Sequence, residues 1–407
     1  MTNSFLFKMD SLELNITKKT EAIADCIFTK IKKQEAESLG IFSGEFGLLL
    51  FLFYYSRYSK SKKDTLLTET YAEKLLEQVV EKERLHTFCS GLAGILYLFE
   101  FLRENDFIDI DISSVQPSLD NYLITRLRQN IQYKYFDFMH GALGVGLYLL
   151  KKGTYPECIK ELIDFLYNTA EKDDVNHFFR WESTVRIQEK ECSAYNLSMS
   201  HGMSAIIVFL SLVVRSGMAE EKIQEMLSGA VNYVFAQEND FTQLGSYFPN
   251  FILKYSPKAF SKSRLAWCYG DLGIAIALWQ AGKSLDKAEW RGKGLDILLQ
   301  STKRRNIVEN FVHDAGICHG SAGIAMIYHR MYLETDEDEF KDATSYWINQ
   351  TMVFSHFEDG LVGYKTHEKE EWKKDYSLLT GIGGIGIVLL SYLKNNRQIW
   401  DEMFLLS

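Results

Sequence analysis

The stretch Trp267-Cys268-Tyr269-Gly270-Asp271-Leu272-Gly273 places a cysteine and a tyrosine directly before a Gly-x-x-Gly step. An uninterrupted apolar run, Ile274 to Trp279, follows it. Fifty residues after Cys268, the pattern recurs as Cys318-His319-Gly320-Ser321-Ala322-Gly323. Two cysteines and a histidine therefore stand at corresponding places in neighbouring repeats, which predicts that they lie side by side in a repetitive fold.

The glycine step recurs along the whole chain. Seven copies are present, and one of them has Ala205 in place of the second glycine. Each copy is followed by a run of apolar residues without a polar face, which indicates a helix that is buried on all sides. The copies begin at Gly44, Gly91, Gly141, Gly202, Gly270, Gly320 and Gly381.

Amphipathic segments lie between these buried runs, with apolar residues at helical spacing and charged residues between them. Seven alternations of amphipathic and buried helices predict an all-α fold, an α/α toroid with seven inner and seven outer helices. An open superhelix of helix pairs is the alternative, but the inner helices are too apolar to line an exposed face. The predicted outer helices span residues 17–34, 66–84, 116–131, 156–171, 219–236, 285–301 and 337–354.

Three connections between outer and inner helices are long, at residues 172–200, 237–268 and 355–380. Their mixed composition indicates loops or short strands over one rim of the ring, and long structured loops are often functional. No stretch has the composition of a linker, so a single domain over residues 1–407 is expected. The glycines from Gly381 to Gly386 belong to the seventh repeat rather than to a dinucleotide-binding loop, because no strand pattern precedes them.

The bulk composition excludes several classes of protein. A formal net charge of −9 argues against a general nucleic-acid-binding surface. The longest apolar runs fall short of the roughly 20 residues that cross a bilayer, and the first residues lack a signal-peptide pattern. Six cysteines in 407 residues are too few for a disulfide scaffold, which predicts a cytoplasmic protein.

The residues richest in chemistry come directly before inner helices, and a ring of helix pairs would bring them to one rim. Zinc accepts Cys thiolate and His nitrogen, and three protein ligands leave a position open for catalysis. Cys268, Cys318 and His319 supply such a set, so one Zn²⁺ per chain is the predicted cofactor. A small buried apolar role is the common alternative for a free cysteine. Cys89 and Cys192 are weaker candidates for a fourth ligand.

Further polar residues share this rim. His201 comes directly before the fourth glycine step and is a candidate for proton transfer. Asp137 could orient it, although a carboxylate near a helix N-terminus is also common for structural reasons. Arg264 could hold an oxyanion or pair with a carboxylate, and Tyr269 could donate a hydrogen bond to the same centre. His140, one repeat before His201, is expected to be structural or to lie behind the site.

With these motifs the chain resembles the lanthionine synthetase C-like family of cyclases. The resemblance covers essentially the whole chain through its seven glycine repeats. Its specific marks are Ser263-Arg264-Leu265-Ala266-Trp267-Cys268-Tyr269-Gly270 and Cys318-His319-Gly320-Ser321-Ala322-Gly323. The resemblance implies an α/α toroid with zinc bound by Cys268, Cys318 and His319. It also implies catalytic roles for His201, Asp137, Arg264 and Tyr269.

The resemblance further implies a reaction. In a lantibiotic cyclase, peptide cysteine thiols add to dehydroalanine or dehydrobutyrine and close lanthionine or methyllanthionine thioether rings. The expected substrate is a dehydrated precursor peptide, so a separate dehydratase is expected to act first. A membrane transporter is a further expected partner, and such a complex would hold the protein peripherally at the membrane.

Two other functions are compatible with a zinc-binding rim. A non-catalytic protein could bind a peptide or a thiol such as glutathione there, and a groove for a long peptide would distinguish the cyclase from it. Another toroid enzyme, a zinc prenyltransferase subunit or a glycoside hydrolase, would need an Asp-Cys-His set or paired carboxylates. The rim carries two cysteines, a histidine and a single clear aspartate, which favours the cyclase.

Overall fold

Seven buried helices form the inner ring of the fold, and each begins directly after the first glycine of a repeat. A computed structural model describes residues 11–33, 38–82, 85–110, 112–188, 190–256, 261–395 and 399–407. Nearly every residue of an inner helix is buried, as the absence of a polar face predicts. The inner helices are α2 (Glu45–Ser59), α4 (Leu92–Glu104), α6 (Ala142–Lys152), α8 (Met203–Arg215), α11 (Asp271–Ser284), α13 (Ser321–Thr335) and α15 (Ile382–Lys394).

Seven amphipathic helices surround the inner ring. In the fourth of them the buried residues include Cys158, Ile159, Leu162 and Leu166, which follow the three- and four-residue spacing of a single helix face. The outer helices are α1 (Ser11–Lys32), α3 (Lys62–Lys82), α5 (Gln116–Gln132), α7 (Pro156–Thr169), α9 (Glu221–Phe235), α12 (Ala288–Ser301) and α14 (Asp338–Val353). The predicted all-α toroid with seven inner and seven outer helices is confirmed.

The ring closes between its first and last helix pairs. The last inner helix, α15, packs against the first, α2, and the outer helix α1 packs against both. Closure buries the apolar faces that an open superhelix would leave at its ends. The alternative of an open solenoid is therefore excluded.

The glycines permit close packing and a sharp turn. A Cβ atom on Gly94 would lie 2.0 Å from the carbonyl oxygen of Phe88, so the second glycine of this step lets α4 lie against the turn before it. The first glycine of the fifth repeat, Gly270, has φ +96°, a region that side-chain-bearing residues rarely adopt.

Main-chain hydrogen bonds join successive turns before the inner helices, and we call this circle of bonds the rim ladder. Its members, apart from Met199, stand two residues before the first glycine of their repeats. Each bond satisfies a buried peptide group while fixing the level of neighbouring turns. The bonds run from Phe42 N to Cys89 O (2.9 Å), Cys89 N to Met139 O (3.0 Å), Met199 N to Cys268 O (2.9 Å), Cys268 N to Cys318 O (3.2 Å), Cys318 N to Leu379 O (2.9 Å) and Leu379 N to Phe42 O (2.9 Å).

A cluster of fully buried aromatic rings packs together with these turns. Phe42 stacks on Phe404 at a centroid distance of 4.7 Å, and it contacts Phe88 and Trp267 edge to face. Phe404 belongs to a 3₁₀ helix, Trp400–Phe404, that follows the last inner helix. Its carbonyl oxygen accepts a hydrogen bond of 2.7 Å from the indole of Trp267. The residue next to Cys268 is therefore held by the C-terminal segment.

The long connections hold short strands, as predicted. The first contains β1 (Glu171–Asp173), β2 (Phe178–Arg180), β3 (Glu182–Ile187) and β4 (Lys190–Asn196), the second α10 (Phe241–Leu244) and β5 (Phe251–Leu253), and the third β6 (Thr366–Glu368) and β7 (Glu371–Lys373). Strands β3, β4 and β5 form an antiparallel sheet in that order. Residues 34, 83 and 84 of the predicted outer helices, and 257–260 of the second connection, lie outside the described residues. Among the helices of the described residues, none has the length and hydropathy of a membrane span.

We predict that Gly94→Ala lowers the free energy of unfolding by about 1–3 kcal/mol, because the methyl group must displace the carbonyl of Phe88 or move α4. The measurement is the urea-induced unfolding midpoint followed by circular dichroism. Gly292→Ala is the matched control, since an added Cβ on this α12 residue meets no atom within 4 Å. There the gain in helix propensity, up to about 1 kcal/mol, should leave stability equal or higher. Equal midpoints for Gly94→Ala and the wild type would contradict the packing argument.

Candidate active site

The side chains of Cys268, Cys318 and His319 form the group of potential metal ligands at the rim. Their ligand atoms all lie within 4.8 Å of one another. The rim ladder places them there, since the amide of Cys268 donates to the carbonyl of Cys318. Two thiolates and an imidazole are the ligand types that zinc prefers, so the donor set fits the predicted ion.

The two thiols of this cluster are strongly coupled. The Cys318 thiol donates a hydrogen bond to Cys268, which lowers the pKa of Cys268 well below its ordinary value; His319 and the charge of Arg264 add to the effect. The same hydrogen bond raises the pKa of Cys318. The pair therefore favours one thiol that donates and one thiolate that accepts, a form that a cation can bind.

Asp314 lies behind the histidine of the cluster. Its buried carboxylate approaches His319 Nε2 to 3.9 Å and accepts main-chain hydrogen bonds of 2.9 Å from Gly316 and His367. Burial lowers the pKa of His319, but the hydrogen bond with Cys268 and the nearby negative charges outweigh burial and raise it overall. Sequence reasoning missed Asp314, because its partners become visible only when the turns come together.

His201 and Asp137 meet across two repeats. The Nδ1 atom of His201 lies 2.7 Å from Asp137 Oδ2, while Asp137 Oδ1 accepts a hydrogen bond of 2.8 Å from the amide of His140. Asp137 thus caps its own turn with one oxygen and holds the histidine with the other. Burial lowers the pKa of His201, but the hydrogen bond and charge of Asp137 outweigh burial, so its pKa lies above the ordinary value.

Two rings flank His201. The ring of His140 stacks on it at a centroid distance of 6.0 Å, and burial lowers the pKa of His140. The ring of Tyr269 lies 6.4 Å away, and its hydroxyl accepts a hydrogen bond of 3.3 Å from the side-chain amide of Asn196. His140 thus lies beside the candidate acid–base residue, at the cavity, and Asn196 fixes the tyrosine from the other side.

A buried ion pair supports the segment that carries Arg264 and Tyr269. Asp271 Oδ2 accepts a hydrogen bond of 2.7 Å from Arg304, which also donates to the carbonyl of Ser263 at 2.8 Å. Both side chains are almost fully inaccessible to solvent. The sequence showed Asp271 within the decisive motif but not its partner, which lies 33 positions further along the chain.

One cavity of about 970 Å³ joins these groups. Arg264 reaches it, and within the described part of the chain no side-chain hydrogen bond or ion pair occupies its guanidinium. Cys89 also lines the cavity at the rim ladder, whereas Cys192 lies on β4 and does not. All seven predicted site residues line this cavity: Asp137, His201, Arg264, Cys268, Tyr269, Cys318 and His319.

Comparison with known proteins agrees with this architecture. The profile of the family described as "Lanthionine synthetase C-like protein" matches residues 18–405. The chain belongs to the lanthionine synthetase C-like family. The nisin biosynthesis protein NisC of Lactococcus lactis subsp. lactis is 21% identical over an alignment of 376 residues that covers 85% of this chain and 85% of the relative. The solved structure of nisin cyclase matches with a TM-score of 0.77 and 19% identity, covering 96% of this chain and 98% of that one. The predicted family is confirmed, and this membership supports an enzyme of the lanthionine cyclase type.

For this family member we predict about one zinc per chain after purification and dialysis, measured by inductively coupled plasma mass spectrometry. Cys268→Ala and Cys318→Ala should each lose most of the metal, because two remaining ligands hold zinc weakly. Cys26→Ala, on the outer helix α1, is the matched control and should retain it. Zinc bound at the wild-type ratio in the Cys268→Ala, Cys318→Ala double variant would contradict the ligand assignment.

Proposed function

We propose that this protein is a zinc-dependent lantibiotic cyclase, a single catalytic domain that closes thioether rings in a dehydrated precursor peptide. The observation that carries the proposal is the cavity in which the Cys-Cys-His cluster and the His201–Asp137 pair face the same space. Membership of the lanthionine synthetase C-like family supports it. A cavity of about 970 Å³ is also larger than a small thiol such as glutathione needs, which favours the cyclase over a thiol-binding protein.

Cys268, Cys318 and His319 would hold the zinc ion. When bound there, zinc supplies the Lewis acidity that favours the thiolate form of a peptide cysteine at neutral pH. Asp314, whose carboxylate lies 3.9 Å from His319 Nε2, adds a negative charge beside this imidazole, where carboxylates often accompany ligating histidines.

The addition develops negative charge on the substrate. The peptide sulfur bonds to Cβ of the dehydro residue, and the alkene electron pair moves onto the amide oxygen as an enolate. Arg264 stabilises this charge, since it lines the cavity and no side chain of the described residues forms a hydrogen bond or ion pair with its guanidinium. Tyr269, held by Asn196, donates a further hydrogen bond at the same centre.

His201 completes the reaction by proton transfer. Its raised pKa favours the protonated imidazole, which can donate a proton to Cα as the enolate collapses. Asp137 orients the ring through Nδ1 and stabilises the imidazolium. The thiol loses one proton and Cα gains one, so substrate and product have the same mass.

Partners and a location follow from this chemistry. The substrate must already contain dehydroalanine or dehydrobutyrine, so a separate dehydratase acts before this protein. A membrane transporter that shares the complex is part of the proposal through the family resemblance alone. All six cysteines are free, which supports a reducing cytoplasm.

We predict that the protein converts a synthetic peptide with one dehydroalanine and one cysteine into a product of unchanged mass that no longer reacts with iodoacetamide. His201→Ala should slow this conversion roughly 100- to 10,000-fold, because the general acid is lost, and should retain zinc. His177→Ala, in the turn between β1 and β2, is the matched control and should react at the wild-type rate. Thiols that remain alkylatable with the wild-type protein would contradict the proposed function, and full activity of His201→Ala would remove His201 from the mechanism.

The pH dependence provides a separate prediction for Asp137. Protonated His201 is the active form, so the rate is full below its pKa and falls as the pH rises through that pKa. Asp137→Asn removes the charge that raises the pKa but leaves the burial that lowers it, so the decline should begin at lower pH. The measurement is the single-turnover rate as a function of pH, with Asp164→Asn on the outer helix α7 as control. An unchanged profile for Asp137→Asn would contradict the coupling of the two residues.

A further inference from the structure

Among the strands of the described residues, β3 lies at the edge of its sheet and pairs with β4 alone. The amide of Lys254 donates to the carbonyl of Ser193 at 3.0 Å, so the main chain of Ser193 faces β5. Because alternate residues of a strand direct their main-chain groups to opposite neighbours, Cys192 and Ala194 face β3. Their partners in the register are Val185 and Ser183.

This register leaves the main-chain groups of Glu182, Thr184 and Arg186 facing away from the sheet. No main-chain hydrogen bond from another described segment reaches them. The side chains of Glu182 and Arg186 pair with Lys254 and Glu191 of the same sheet, at 2.6 and 3.4 Å. Donors and acceptors for another strand are therefore present along this edge.

The free edge opens onto the candidate active site. Residues 182–186 line the same cavity of about 970 Å³ as Cys268 and His201. The segment after α5 lines it as well, and it exposes Tyr133 by 77% and Tyr135 by 44%. Exposed tyrosines can contact side chains of many kinds through an apolar ring and a polar hydroxyl. We call the space between β3 and these tyrosines the edge groove.

We propose that the dehydrated peptide adds an extended strand to the outer edge of β3, with its side chains contacting the tyrosines across the edge groove. This inference rests on the proposed cyclase function and specifies how its substrate binds. Main-chain pairing gives affinity that depends little on side chains. An enzyme that closes several rings in one peptide binds different segments of that peptide at one site. Recognition of the main chain permits this, because main-chain groups are the same in every segment. The shared cavity would place the paired segment next to the reacting cysteine.

Thr184→Pro tests the inference in the protein. Proline removes the outward N–H at the centre of the edge and adds a ring that obstructs an incoming strand, yet proline is tolerated where an edge N–H faces solvent. Thr184→Ala is the matched control, because it removes the side chain and keeps the main chain.

The probe is a synthetic peptide with dehydroalanine and cysteine four positions apart and a ten-residue extension. Thr184→Pro should raise KM for this peptide about tenfold, through loss of a hydrogen bond and of strand contact. Its KM for the same peptide without the extension should equal that of the wild type.

N-methylation of the peptide tests the same inference in the unaltered protein. Two extended peptides carry methyl groups on alternate amides, in opposite phases, since only one phase faces β3 in a paired strand. One phase should raise KM as Thr184→Pro does, and the other should leave it unchanged. Equal KM values for both phases, or a wild-type KM for Thr184→Pro, would overturn the inference while cyclisation by the wild type upholds the proposed function. Absence of cyclisation with every peptide would overturn both.

Discussion

The site depends on one kind of main-chain interaction. In it, the amide of one rim turn donates a hydrogen bond to the carbonyl of the next turn. Cys268 donates to Cys318 and Cys318 donates to Leu379, each from the position two residues before a repeat glycine. Side chains at corresponding positions of these turns therefore lie at the same level of the ring. Cysteines fifty residues apart in the chain become neighbours because the backbone, rather than a local motif, sets their spacing. The ligand cluster is thus a property of the toroid as a whole.

The circle of bonds is interrupted at one junction. Within the described residues, no main-chain hydrogen bond joins the turns of Met139 and Ser200, and the side chains of Asp137 and His201 span that junction instead. A contact between two titratable side chains thus takes the place of a main-chain hydrogen bond beside the Cys268–Cys318 pair. This side-chain contact of 2.7 Å consequently bridges the third and fourth repeats at the level where main-chain bonds join the other turns.

Local patterns predicted most of the fold, whereas long-range partners did not follow from the sequence. The apolar runs and their glycines are contiguous, so periodicity indicated all seven inner helices, and the repeat register brought Cys268 beside Cys318. The ion pair of Asp271 with Arg304 was missed because the sequence around a buried carboxylate does not identify its distant partner. The sheet of β3, β4 and β5 was equally hidden, since its strands come from two different connections. Short strands with mixed composition carry little pairing information of their own.

The contact between Trp267 and Phe404 bears on the order in which the molecule is made. During synthesis, the turn with Cys268 leaves the ribosome long before Phe404. The carbonyl of Phe404 accepts the hydrogen bond of the Trp267 indole. Phe42, near the start of the chain, must also wait for Phe404 as its stacking partner. Domains generally fold as units once their chain has emerged, so both contacts belong to the closed ring rather than to one local repeat. The paired thiols at the rim are therefore a product of the whole ring, since the indole next to Cys268 bonds to a carbonyl 137 positions further along the chain.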